Sequence, residues 1–219
     1  MNKELFDLWE DNIAIISPDG IISYANESWK QFAKDNGLNP EACNAGANYL
    51  KVCEKATGKN SDEAQIAFDG IKDVIYGNKN TFKLEYPCHS PEKQRWFLMK
   101  VTPLSKEKPT NVLLQHIDIT ERKSVEKALK KSEKRFKEIY LESPIPIEVY
   151  NSEGHLIDVN TSCLKLFGIS DVAEVKGFNL FDDPNLPAYT REQLLAGETV
   201  EYETTFDFEL VKKLDLYNT

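Results

Sequence analysis

Cysteine and histidine are scarce in this 219-residue chain, with four and three copies. Cys43, Cys53, Cys88 and Cys163 fit no CxxC or zinc-ribbon spacing, so they point to reduced thiols and to no metal centre. There is no H-E-x-x-H, no G-x-x-x-x-G-K and no G-x-S-x-G, and the chain itself is not expected to be an enzyme. Long apolar runs are absent too. Ile13-Ala14-Ile15-Ile16 is typical of the longest, against the roughly 18 residues a membrane span needs. Met1 to Asp7 hold no apolar stretch for a secretory signal, so a cytoplasmic location with no membrane partner is expected. Basic charge is outnumbered, 27 Lys and Arg against 36 Asp and Glu. That net charge of −9 argues against a nucleic-acid partner. With 41% hydrophobic and 29% charged residues, what remains is ordinary globular protein.

What is present is an internal repeat. Residues 13–32 (IAIISPDGIISYANESWKQF) and 147–166 (IEVYNSEGHLIDVNTSCLKL) match at a constant offset of 134. Each copy reads as an apolar strand, a turn ending in Gly, a second strand, an Asn, and a helix. Ser17-Pro18-Asp19-Gly20 and Asn151-Ser152-Glu153-Gly154 are the hairpin turns. Asn26 and Asn160 stand where a helix starts, where Asn caps a free backbone N–H. Cys163 aligns with Trp29 on the apolar face of that helix, which makes it a small core residue.

Downstream, Ser61 to Tyr76 has Ala64, Phe68, Ile71 and Ile75 on one helical face and stops at Gly77. Phe82, Leu84 and Tyr86 alternate with Lys83 and Glu85 as a half-buried strand, and strands follow at 95–104 and 112–119. In the second copy Tyr189 to Ala196 is the helix, and Val200 to Phe208 the strand. Asn26 to Gly77 is 51 residues but Asn160 to Gly197 only 37, so the first copy has about 14 more between its helices. The second copy ends 22 residues after Gly197, about twenty short of the first, and two strands are expected to be missing from it.

Strand–turn–strand, several short helices and three strands is an arrangement that resembles the PAS sensor domain. Asp118-Ile119-Thr120-Glu121-Arg122-Lys123 resembles the D-I-T-E-R-K string that closes many such domains, and Ser143-Pro144-Ile145-Pro146 resembles their opening. The resemblance implies an α+β chain: a five-stranded antiparallel sheet, strand order 2-1-5-4-3, with helices on one face. The domains would be residues 1–120, a linker helix at 121–140, and an incomplete copy at 141–219. Without its fourth and fifth strands, the third strand of the second copy would lack a neighbour.

The linker carries Val125, Leu129, Ser132, Phe136 and Ile139 at alternating spacings of four and three, a heptad seam flanked by basic residues on a solvated face. The resemblance implies that this helix pairs with its twin in a homodimer, with Asp118 and Thr120 tying the last strand to its start. It further implies an output region of histidine kinase or diguanylate cyclase type. Haem is disfavoured, since neither long helix holds a His. Covalent flavin is disfavoured as well. Gly46-Ala47-Asn48-Tyr49-Leu50 resembles the flavin-bonding stretch of light-sensing relatives, but Tyr49 takes the place of the Cys, and Cys53 lies a turn further on. A small-ligand pocket would draw on Trp29, Tyr49, Phe68, Phe82, Tyr86 and Trp96. His116 is read as a strand residue. Two alternatives stay open: a dimerisation scaffold that senses nothing, and a redox or metal site at Cys88 and His89.

Overall fold

The structure is a computed structural model, and it describes residues 3–37, 39, 43–56, 61–89 and 93–213. The chain divides into two compact units, Met1–Ala128 and Leu129–Thr219.

In the first unit a 3₁₀ turn (Lys3–Leu8) leads into β1 (Asn12–Ile16) and β2 (Ile22–Ala25). Helices α1 (Glu27–Asp35), α2 (Tyr49–Glu54) and α3 (Ser61–Tyr76) follow, and then β3 (Phe82–Pro87), β4 (Trp96–Pro103) and β5 (Val112–Asp118). The five strands form one antiparallel sheet in the order β2-β1-β5-β4-β3. β1 and β5, nearly 100 residues apart in sequence, pair at its centre with Ile13 opposite Gln115 and Ile15 opposite Leu113.

The alternating pleat sends one face of each strand to the core. Ala14 and Ile16 of β1, Met99 and Val101 of β4, and Val112 and Leu114 of β5 meet Ile22, Trp29 and Leu50 there. α3 lays Ala67, Ile71, Val74 and Ile75 onto the same cluster, a stripe at helical spacing, while Ala64 and Phe68 sit half-buried at its margin. Each fully buried Ile contributes roughly 1.5–3 kcal/mol. Gly70 on this stripe is required, because any Cβ there would overlap the ring of Phe82.

A 23-residue helix, α4 (Thr120–Glu142), begins in the first unit and ends in the second. The second unit continues with β6 (Glu148–Tyr150), β7 (Leu156–Val159), α5 (Thr161–Phe167), α6 (Ala188–Leu195) and α7 (Phe208–Lys213). β6 and β7 form a two-stranded sheet over a small core of Leu156, Val159, Cys163, Val175 and Phe178. The strand expected over Val200 to Phe208 does not form. Residues 200–207 carry no ladder, and Phe208 already belongs to α7. A period-two pattern makes a strand only when it pairs with a partner edge, and residues 200–207 pair with none among the described residues. The helix at 188–195 is present as expected.

The sequence repeat has a three-dimensional counterpart. Asn26 Oδ1 accepts from Ile13 N (2.9 Å) and Trp29 N (3.0 Å), and its Nδ2 donates to the carbonyls of Phe6 and Asp11 (2.9 Å each). Asn160 Oδ1 accepts from Ile147 N and Cys163 N (3.0 Å each), and its Nδ2 donates to the carbonyls of Tyr140 (3.1 Å) and Ile145 (2.9 Å). Ser28 Oγ donates to Trp9 O (2.7 Å), and Ser162 Oγ to Ser143 O (2.5 Å). Every partner is displaced by 134. So each Asn caps its helix and also tethers the incoming turn to the first strand. A second matching set, Tyr49 N to Gly20 O and Leu180 N to Gly154 O (2.8 Å each), keeps the offset of 134 at the acceptors but has 131 at the donors. Of the 14 extra residues of the first copy, three therefore precede Asn48 and eleven follow it.

Candidate functional site

The first unit holds a partly open cavity of about 210 Å³. Its walls come from the elements that the sheet order brings together. α1 supplies Trp29, Phe32 and Ala33, α2 supplies Tyr49 and Val52, and Tyr86, Phe97 and His116 come from β3, β4 and β5. Asn12, Cys43 and Cys88 complete it. Trp29 packs on His116 with ring centroids 5.1 Å apart, and Phe32 meets Phe97 edge-on at 5.2 Å. The indole N–H of Trp29 donates to Cys43 O (2.7 Å), so the ring's polar end is satisfied and its apolar face remains for the cavity.

His116 organises the polar side. Its Nδ1 bonds the Tyr86 hydroxyl at 2.5 Å, and its Nε2 bonds the Tyr49 hydroxyl at 3.3 Å. Burial pulls the imidazole down to about 4, so the ring is neutral near pH 7. The same desolvation pushes the hydroxyls of Tyr49 and Tyr86 well above the ordinary phenol range. It also pushes the Cys53 thiol, beside Tyr49, up to about 11. The cavity therefore presents aromatic faces and neutral hydrogen-bonding groups.

Of the six aromatics expected at a pocket, Trp29, Tyr49 and Tyr86 line it and three do not. Phe68 and Phe82 pack against the core cluster from its margin, with Phe82 held over Gly70. Trp96 falls on the opposite face of β4 from Phe97, where Lys123 lies 5.6 Å from its ring centroid. The apolar run Trp96-Phe97-Leu98-Met99 gives no alternation from which to tell the faces apart. His116 is a strand residue as read, and its place in the cavity wall was not foreseen.

Cys88 and His89 have different surroundings. Cys88 lines the cavity, whereas His89 Nδ1 accepts from Arg95 N (3.2 Å) and its ring stands edge-on to Trp96. Burial raises the Cys88 thiol, the opposite of what a reactive thiolate requires. Ser90 and Pro91 of the same turn lie outside the described residues. Among the described residues no cluster of three or more His, Cys, Asp or Glu could hold a metal ion.

The cavity wall leads into α4. Two residues after His116, Asp118 Oδ1 accepts from Thr120 N (2.8 Å), and Thr120 Oγ1 accepts from Trp96 N (3.0 Å). Glu85 of β3 bridges Arg122 (2.5 Å) and Lys123 (2.6 Å) in the first turn of the helix. Along α4, Val125, Leu129, Phe136 and Ile139 are 59–71% exposed.

Residues 134–200 match the family model described as PAS domain. Over that segment the chain is similar to a PAS domain. The match covers the second copy of the repeat, and the first unit has the strand order of the PAS fold. An uncharacterized 104.1 kDa protein in the hypE 3' region of Rhodobacter capsulatus is 34% identical over 121 residues, which is 54% of this chain and 12% of that protein. The chain thus spans only 12% of that relative's length. Among solved structures, the PAS domain of Bordetella pertussis BvgS is 14% identical, with a TM-score of 0.42 over 61% of this chain and 94% of its own. A PAS domain from Colwellia psychrerythraea is 19% identical, with a TM-score of 0.39 over 54% of this chain and 93% of its own. A sensory box histidine kinase/response regulator from Burkholderia thailandensis E264 is 18% identical, with a TM-score of 0.40 over 58% and 91%. No helix among the described residues is long and apolar enough to cross a membrane.

Proposed function

We propose that the chain is a tandem PAS input segment of a signalling protein: the first unit receives a small molecule in its cavity, and α4 passes the change to the second unit. One observation carries the reading. His116, in the cavity wall, and Asp118, which caps the start of α4, lie two residues apart on β5, so whatever moves the strand at the ligand moves the helix start. The hydrogen-bond set repeated at an offset of 134 supports the tandem arrangement. The exposed seam on α4 supports pairing with the same helix of a second copy, as a homodimer. A histidine kinase or diguanylate cyclase would be the output. A cavity of about 210 Å³ suits a compound much smaller than haem or flavin.

The mechanism is a two-state shift: a ligand favours the state it binds better by no more than its differential affinity. The test fills the cavity by Ala33→Phe and follows amide exchange across Ile117–Glu126. Altered protection there, with the fold intact, is expected. Unchanged protection would reduce the first unit to a dimerisation scaffold.

A further inference from the structure

We propose that the cavity takes an uncharged one-ring ligand bearing a hydrogen-bond acceptor, and that this acceptor is read by the Tyr86 hydroxyl through a change of tautomer at His116. The inference rests on reading the cavity as a ligand site. Size sets the first limit. An apolar cavity of about 150 Å³ already takes benzene, so about 210 Å³ holds one ring with a few further atoms and not two fused rings. Charge sets the second. No Lys, Arg, Asp or Glu lines the cavity, and an ion there would give up hydration without meeting a counter-charge in the lining.

Hydrogen counting sets the third. Tyr49, Tyr86 and the neutral imidazole hold one labile hydrogen each, and two bonds join the three groups. One hydrogen is left over in any arrangement. With the imidazole proton on Nε2, Nδ1 accepts from Tyr86, Nε2 donates to Tyr49, and the spare hydroxyl hydrogen is that of Tyr49. The Tyr49 hydroxyl donates it to the Cys53 sulfur beside it, so all three hydrogens find partners within the protein. With the proton on Nδ1, both bonds reverse, and the spare hydrogen moves to Tyr86 at the cavity wall. An incoming acceptor selects this second tautomer. A buried donor that gains a partner on binding favours ligands that supply one.

The full chain, with ¹⁵N-labelled histidine, is titrated with four one-ring probes of similar size: toluene, benzamide, benzoate and benzylammonium. Benzamide is expected to bind about 3- to 10-fold more tightly than toluene, the worth of one hydrogen bond. It is also expected to move the His116 proton from Nε2 to Nδ1. The two ions should bind at least tenfold more weakly than benzamide. Tyr86→Phe, which keeps the ring and the packing, should reduce benzamide to the affinity of toluene. Tightest binding by either ion overturns the charge limit. Equal binding of toluene and benzamide, an unmoved proton, or an indifferent Tyr86→Phe overturns the acceptor and its relay while leaving the cavity a ligand site. Binding of none of the four overturns both the proposal and the reading beneath it.

Discussion

Replacing Asn26 by Ala tests whether the repeated Asn is a structural tether or an ordinary helix cap. The side chain is fully buried. Its Oδ1 is the acceptor for the N–H groups of Ile13 and Trp29, and its Nδ2 serves the carbonyls of Phe6 and Asp11. A lost exposed cap costs about 1 kcal/mol. Here two buried donors lose their acceptor, at about 1–3 kcal/mol each, which makes about 2–6 kcal/mol the expected loss. That is a large part of the roughly 5–15 kcal/mol that holds a domain folded. For about 120 residues, at about 4 °C per kcal/mol, it lowers the melting temperature by about 8–24 °C. All three tryptophans, Trp9, Trp29 and Trp96, lie in the first unit, so their fluorescence during urea or thermal unfolding reports that unit alone. Asn26→Asp sharpens the test. It keeps the acceptor but turns the donating nitrogen into an oxygen facing two carbonyls. The folded protein then raises that carboxyl's pKa, because only the protonated acid can donate. Its stability is full below the unfolded carboxyl's pKa and is lost as pH rises through the folded one. An Asn26→Ala protein within 1 kcal/mol of wild type, or an Asn26→Asp protein that gains stability with rising pH, would refute the tether.

Leu129→Glu or Phe136→Glu should convert a homodimer to monomer, since each puts charge on the exposed α4 seam; light scattering after size exclusion reads the mass, and an unchanged dimer removes the seam from the interface. His116 contributes to pH dependence through a lowered folded pKa of about 4, so its stabilising effect is full above about 6.5 and fades as pH falls towards 4. That effect amounts to about 3 kcal/mol, and His116→Gln should flatten this part of the urea stability curve relative to wild type. Gly20→Ala should cost at least about 2 kcal/mol by urea unfolding, because φ is +83° and the new Cβ would stand 2.8 Å from Leu50 Cβ. With its thiol at about 11, Cys53 should react with iodoacetamide at pH 8 on the order of 100-fold more slowly than an ordinary cysteine, as peptide mass spectrometry would show.

The parts of the fold that were legible in the sequence are those that local chemistry decides. Ser61–Tyr76 was bounded to the residue because an apolar stripe runs into Gly77, and both hairpins because Gly20 and Gly154 supply positive φ. The strand order followed from the family resemblance. No local pattern pairs β1 with β5 across nearly 100 residues. The failed strand at 200–207 shows the converse: alternation was present, but a ladder depends on a second segment, and pattern alone does not supply one.

The site was harder to read, for a reason that His116 and Trp96 make plain. A cavity wall is chosen by which face of a strand turns inward, and β4 is apolar on both faces, so Trp96 and Phe97 look equally eligible in sequence although only Phe97 reaches the cavity. His116 has the reverse problem. Its place on β5 is what the sequence suggests, but its partners, Tyr86 and Tyr49, lie 30 and 67 positions away. What gives it a role is three-body: two hydroxyls and one imidazole sharing two hydrogen bonds in the pocket wall. Substituting any one of the three changes the hydrogen count of the other two. Single substitutions at Tyr49, Tyr86 and His116 should therefore be non-additive in any binding assay, with coupling that vanishes once His116 is replaced.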